Sequence, residues 1–118
     1  MPSLILYIDE NIKQSLDQKN LQPIEKTIIE IILHELDATK DNCQITWIKT
    51  NILTSDYKIF GEMKFRQKKS RNKNKKENCL KKIGNVLHNY FKVSTRLRAF
   101  SIEDASITSL DIKKWNNH

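Results

Sequence analysis

The chain has 118 residues, of which 38% are hydrophobic and 30% charged, and this is typical of one ordinary soluble domain covering 1–118. Only two Gly and two Pro are present, which argues against a loop-rich or low-complexity chain, and no apolar run approaches the roughly 20 residues of a membrane span. The formal net charge of +7 favours anionic partners such as nucleic acid, acidic surfaces or carboxylates.

The start of the chain and its cysteines predict a cytoplasmic protein. No basic residue precedes the apolar stretch that begins at Ser3, and Asp9 and Glu10 follow that stretch closely, so we do not expect a secretory signal. Cys43 and Cys79 lack metal-ligand spacing. We interpret both as free thiols that serve as small, partly buried hydrophobic residues.

The first half of the chain predicts a strand, a helix and a second strand. Residues 3–8 are apolar and short, as in a buried strand, which places Pro2 at the mouth of that strand. A helix is predicted over 20–36, because Pro23 suits a first turn and isoleucines recur at helical spacing. Residues 44–52 alternate between two faces, both of which carry apolar side chains, and this predicts a strand that packs on both faces.

The second half repeats this order. Strands are predicted over 57–65 and 97–102, with a helix over about 74–91 between them, and 107–112 are compatible with a short edge strand. Right-handed crossovers place both helices on one side of the sheet. The expected fold is therefore α+β, with two β-α-β units forming a four-stranded sheet with two helices on one face. We expect oligomerisation through the other face, because a chain of this size cannot cover it alone.

Basic residues are concentrated between the third strand and the second helix, in a stretch predicted to be a loop. No acid interrupts this basic stretch, which consists of Lys64, Arg66, Lys68, Lys69, Arg71, Lys73, Lys75 and Lys76. Such a stretch supports one alternative function, a basic nucleic-acid-binding module with salt-dependent affinity. Against this alternative, only Phe65 accompanies the stretch as an aromatic for base stacking. A carboxylate-binding enzyme would use the same cations.

Pro2 is the candidate catalytic residue on physical grounds. Removal of Met1, which is usual before a small residue, leaves a secondary amine at Pro2. An α-amino group has an ordinary pKa of about 7.7–8.0, and both nearby cations and burial lower it. A base that titrates near neutral pH suits proton transfer between carbon and oxygen. The competing interpretation is that Pro2 merely begins the strand.

A dispersed pattern of residues spans nearly the whole chain. It consists of residues 1–12, 45–47, 56–57, 87–91 and 95–103. This pattern resembles the 5-carboxymethyl-2-hydroxymuconate isomerases of the tautomerase superfamily, which act in aromatic degradation. The resemblance implies a homotrimer, no cofactor, and keto–enol tautomerisation of a small unsaturated (di)carboxylate, with Pro2 as the general base.

The resemblance also implies cations that hold the substrate carboxylates. Arg71 falls where the family has an arginine before the second helix, and arginine can bind a carboxylate through two parallel hydrogen bonds; the alternative is a solvated charge of the basic stretch. The family's arginine before the Trp-containing strand is replaced by Asn42-Cys43-Gln44. Gln44 can hydrogen-bond a substrate carbonyl but cannot balance charge. This departure keeps a further alternative open, a non-catalytic protein of the same fold.

Overall fold

The structure is a computed structural model that describes residues 2–14, 16–39 and 43–113. Its elements follow the predicted order of strand, helix and strand, used twice. They are β1 (Ser3–Asp9), α1 (Gln18–Glu35), β2 (Gln44–Thr50), β3 (Tyr57–Arg66), α2 (Lys73–Phe91) and β4 (Ser94–Ile102). Neither helix in this described part combines the length and the apolar composition needed to cross a membrane.

Both helices begin at a side-chain cap. The carboxylate of Asp17 accepts a hydrogen bond from the Asn20 N–H at 3.0 Å, so α1 begins slightly before the predicted start. The Asn72 side chain accepts from the Lys75 N–H at 2.9 Å and starts α2 in the same way. The basic stretch is therefore not a loop throughout: its first part belongs to β3, its last part belongs to α2, and only 67–72 connect them.

The four strands form one sheet with the order β2-β1-β3-β4. β1 is parallel to β2 and antiparallel to β3, and β3 is parallel to β4. Ser3 is paired with Gln44 on one side and with Lys64 on the other. The start of β1 therefore lies between the start of β2 and the end of β3, and Pro2 lies at this edge of the sheet.

One face of the sheet packs against both helices and forms the core. Alternate residues of the two central strands are buried there, namely Leu4, Leu6, Ile8, Ile59, Met63 and Phe65. The helices contribute a buried apolar stripe each, consisting of Leu21, Ile24, Ile28 and Ile32 in α1, and of Cys79, Ile83, Leu87 and Phe91 in α2. The predicted α+β architecture, with a four-stranded sheet and two helices on one face, is confirmed.

The expected edge strand over 107–112 is wrong. β4 ends at Ile102, and a 3-10 turn at Asp104–Ser106 follows. The N–H groups of Ser106 and Ile107 bond locally to the carbonyls of Glu103 and Asp104, so the chain turns instead of continuing along the sheet. The apolar side chains of Leu110 and Ile112 are 82% and 85% exposed and add nothing to the core of this chain.

Candidate active site

A small cavity lies at the edge of the sheet where β1 begins, α1 ends and β3 leads into α2. Its volume is about 190 Å³, and it is lined by Pro2, Asp37, Ala38, Thr39, Arg66, Lys68 and Arg71. Two residues that were predicted from the sequence, Pro2 and Arg71, are therefore brought to the same cavity from distant parts of the chain. We refer to it as the Pro2 cavity.

Pro2 is buried and held by the start of β2. Its carbonyl oxygen accepts a hydrogen bond from the Gln44 N–H at 3.1 Å. This bond continues the pairing of β1 with β2, so Pro2 is part of the sheet edge and not of a free tail. While Met1 is attached, the Pro2 nitrogen is an amide and has no basicity. Base chemistry at Pro2 requires that Met1 be removed.

Gln44 contacts Pro2 through its backbone N–H. Its side chain is exposed, and it does not belong to the lining of the Pro2 cavity within the described residues. The structure therefore shows that Gln44 positions Pro2. The hydrogen bond between the Gln44 side chain and a substrate carbonyl stays a prediction.

Arg71 is almost completely buried, with 2% of its surface exposed. Its Nε donates to the Leu36 carbonyl and its Nη1 donates to the Arg66 carbonyl, both at 2.7 Å. The guanidinium carbon lies 5.6 Å from the centroid of the Phe65 ring. Arg71 thus connects the end of α1 to the end of β3 and fixes two walls of the Pro2 cavity. Burial lowers the pKa of Arg71, and the nearby Asp37 opposes this shift, so the guanidinium stays charged at neutral pH.

Three further charged residues line the cavity. Asp37 follows the end of α1 with a φ of 52°, a left-handed conformation that aspartate tolerates better than most residues. Arg66, at the end of β3, has its Nε 3.7 Å from a carboxylate oxygen of Asp104. Lys68 lies in the connection to α2 and is exposed.

Sequence reasoning missed these three residues as members of the site. Asp37 was part of a polar connection, and Arg66 and Lys68 were two of eight basic residues in the stretch. One signal was available: a β-α-β crossover returns the helix to the edge at which its first strand began. A residue directly after α1, such as Asp37, is therefore expected near Pro2.

Both cysteines are free thiols, and the described residues contain no cluster of candidate metal ligands. Cys43 is half-buried and Cys79 is buried, and both are free, as interpreted from the sequence. Burial raises the pKa of the Cys43 thiol and raises that of Cys79 to about 12, so both thiols are protonated at neutral pH. Within 2–14, 16–39 and 43–113, no cluster of His, Cys, Asp or Glu is arranged to hold a metal ion.

Comparison with sequences of known proteins yields no relative. No family model matches the chain, and no curated protein matches it.

Solved structures with the same architecture are numerous. A macrophage migration inhibitory factor-like protein from Entamoeba histolytica superposes with a TM-score of 0.70 at 10% identity, over 92% of this chain and 94% of that one. A member of the cis-3-chloroacrylic acid dehalogenase family gives 0.72 at 10% identity, over 91% of this chain and 79% of that one. A fused 4-OT that forms an asymmetric trimer gives 0.69 at 12% identity, over 91% of both chains. The chain has the tautomerase fold. At these identities, the likeness to tautomerase-superfamily structures establishes the fold and leaves the chemistry to be argued from the Pro2 cavity.

Proposed function

We propose that this tautomerase-fold chain is a cofactor-independent isomerase that catalyses keto–enol tautomerisation of a small unsaturated carboxylate. The observation that carries the proposal is the position of Pro2, which is buried at the edge of the sheet and lines a cavity of about 190 Å³ together with three cations. The 5-carboxymethyl-2-hydroxymuconate isomerase activity implied by the sequence resemblance is one reaction of this class.

The proposed reaction uses the Pro2 amine as the only proton carrier. Once Met1 is removed, the neutral amine accepts the hydroxyl proton of an enol, and electrons move through the conjugated double bonds. The resulting ammonium returns the proton to carbon, so the proton count is unchanged and no oxidant or reductant is needed. Burial of Pro2 and the cations that line the cavity favour the neutral amine, whereas Asp37 opposes them, and the neutral amine is the form that acts as a base.

The substrate class and the assembly are supported by the structural neighbours. The cis-3-chloroacrylic acid dehalogenase family is named after a small unsaturated carboxylate, and the fused 4-OT structures are trimers. The sheet face opposite the helices is uncovered in the single chain and carries aromatic residues such as Tyr7, Phe60 and Phe100. We therefore propose a homotrimer that forms through this face. A monomer by light scattering would contradict the homotrimer.

The proposed function is tested by replacing Pro2. Protein whose intact mass shows loss of Met1 is assayed for ketonisation of phenylpyruvate enol and of 2-hydroxymuconate, beside Pro2→Ala. We expect Pro2→Ala to lower turnover by about a hundredfold or more, because the positioned base is lost. Pro23→Ala is the matched control, because Pro23 is exposed on α1 and lies outside the Pro2 cavity. Equal turnover by Pro2→Ala and the parent protein would overturn the proposal.

A second candidate function is phosphate-backbone binding by the basic stretch. Lys64, Lys68, Lys69, Lys73 and Lys75 are exposed, and the first turn of α2 contains no acid to offset them. Phe65, however, is 2% exposed and buried in the core, so it is not available for base stacking. Absence of turnover together with strong, salt-dependent binding of random-sequence DNA would favour this candidate over the isomerase.

A further inference from the structure

We propose that the Pro2 cavity binds a ligand with one carboxylate, not two, and that Lys68 is the residue that binds it, while Arg71 is a positioning residue. The proposal rests on the proposed function for its link to turnover, but the binding claim stands on the geometry of the cavity alone. It differs from the dicarboxylate that the sequence resemblance implies.

Arg71 is committed to the protein backbone. A guanidinium grips a carboxylate with two parallel N–H groups, and here Nε and Nη1 already donate to the carbonyls of Leu36 and Arg66. With 2% of its surface exposed, the side chain presents little of its remaining Nη N–H groups to a ligand. Its two bonds instead place the residues on either side, Asp37 after α1 and Arg66 at the end of β3.

The charges that line the cavity leave one cation without an acidic partner. The positive charge of Arg71 is opposed by Asp37, and that of Arg66 by Asp104. The Lys68 carbonyl accepts a hydrogen bond from the Arg71 N–H at 3.0 Å, but the Lys68 side chain makes no hydrogen bond or ion pair within residues 2–14, 16–39 and 43–113. One uncompensated positive charge matches one carboxylate.

Lys68 also has the exposure and chemistry that a ligand contact requires. It is exposed and lines the cavity, so it can bind a ligand there without the cost of burying a charge. A lysine ammonium binds a carboxylate as a point charge, without the planar two-bond geometry of arginine. Selection therefore rests on the number of ligand charges, because a second carboxylate would meet Asp37 or cations that already have partners.

The test compares two unreactive ligands of equal length, hexanoate and adipate, which carry one and two carboxylates. Binding to Met1-trimmed protein is measured by titration calorimetry and by amide chemical shifts. We expect hexanoate to bind at least as tightly as adipate. Binding of adipate more than about tenfold tighter, or no binding of either acid, would overturn the proposal.

Variants of two adjacent lysines identify the binding residue. Lys68→Gln should weaken hexanoate binding about tenfold or more, which is typical for loss of a charged hydrogen-bond partner, and Lys68→Arg should largely restore it. Lys69→Gln is the matched control, because Lys69 is also exposed but does not line the cavity. Equal affinity of Lys68→Gln and Lys69→Gln would overturn the assignment of Lys68.

The roles of Arg71 and Lys68 are distinguished by the kinetic effects of their variants. Because Arg71 acts through the walls of the cavity, Arg71→Lys should lower kcat and the unfolding midpoint, whereas Lys68→Gln should raise KM with an unchanged unfolding midpoint. A raised KM in Arg71→Lys with unchanged stability would show direct binding and overturn the positioning role. If hexanoate binding depends on Lys68 but no enol is turned over, the proposed function fails and this proposal stands.

Discussion

The two ends of the sheet each contain a buried charged side chain, and the two charges have opposite signs. At the Pro2 end, Arg71 donates to the carbonyls of Leu36 and Arg66. At the opposite end, the carboxylate of Asp9 accepts from the N–H groups of Asn11 at 2.9 Å and Ile52 at 3.0 Å. One cation thus satisfies two acceptors, and one anion satisfies two donors.

Asp9 has the simpler interpretation, because its surroundings account for its charge. It is 5% exposed, and the Nζ of Lys58 lies 4.0 Å from its carboxylate and donates to the Ile52 carbonyl at 2.7 Å. The hydrogen bond from the Asn11 N–H, followed by that from Ile52, lowers the pKa of Asp9. Asp9 therefore connects the end of β1 to the segment after β2 and is structural.

The role of a buried charge is shown by its partners and not by its position in a sequence pattern. Arg71 occupies the position of an arginine that holds substrate in the family it resembles, yet its bonds are of the same kind as those of Asp9. The functional difference between the two ends lies in what surrounds the structural charge. Cavities lie at both ends, and the one at the Arg71 end is lined by Pro2, which provides a candidate N-terminal amine.

The largest effect that would test this comparison is expected from Arg71→Met. The substitution keeps an apolar stem of similar length but leaves the Leu36 and Arg66 carbonyls without their donors. We expect a loss of about 3 kcal/mol in the free energy of unfolding, since an unsatisfied buried group costs on the order of 1–3 kcal/mol. Urea unfolding measures it.

Arg71→Lys is a milder variant, because it keeps the charge and one donor nitrogen. It should lose about half as much free energy of unfolding as Arg71→Met. Unchanged stability in both variants would contradict a structural role for the Arg71 guanidinium. It would mean that the guanidinium is not needed by the backbone and is free to bind a ligand.

A smaller loss of stability is expected from Gly61→Ala in the middle of the sheet. This position has no charged side chain and serves as a reference for the two ends. A Cβ added at Gly61 would lie 2.5 Å from Leu97 Cδ2 and 2.9 Å from Leu6 Cδ2, and Leu6 is fully buried. Gly61→Ala should therefore cost about 2 kcal/mol through overpacking. The loss should leave the Lys68-dependent binding of hexanoate intact in the folded protein.

Gly84→Ala is the matched control for this reference. The added Cβ would lie 3.6 Å from Leu97 Cδ1, an ordinary contact, and Gly84 is within α2. We expect a gain of about 0.5–1 kcal/mol from the better helix propensity of alanine. If both variants shift the urea midpoint in the same direction, packing against Leu97 is not what limits the Gly61 position.

Much of the fold was predictable from the sequence, because its signals are periodic and local. The alternation over 57–65 predicted the buried face of β3, and the apolar spacing over 74–91 predicted α2. The limits of strands were harder to predict from the sequence where they depend on pairing with a neighbouring strand. β4 begins at Ser94 and not at 97, since Thr95 and Arg96 are polar by pattern and become strand residues by pairing with Ile59 and Phe60.

The Pro2 cavity was predictable only in part. Pro2 and Arg71 were found through chemistry and a sequence resemblance, and the structure places both in one cavity. The partners of Arg71 were not predictable, because backbone carbonyls have no sequence signal and become acceptors only when α1 and β3 have packed. Lys68, which we propose to bind the ligand, is one of many lysines in the sequence, and only the fold shows that it lines the cavity.

The smallest effect, and the one with a pH signature, is expected from Asp9→Asn. The amide oxygen can still accept one of the two N–H bonds, so the loss of stability should be smaller than in Arg71→Met. The pKa of Asp9 in the folded protein lies below the ordinary value of 3.8, so its charge contributes stability that is fully present above that value. This stability is lost as the pH falls through the lowered pKa. The difference in unfolding free energy between the parent and Asp9→Asn, measured by urea from pH 7 to pH 2, should stay constant down to about pH 4 and then shrink. A constant difference over the whole range would mean that the carboxylate charge contributes nothing at this end, so that the two buried charges are not equivalent.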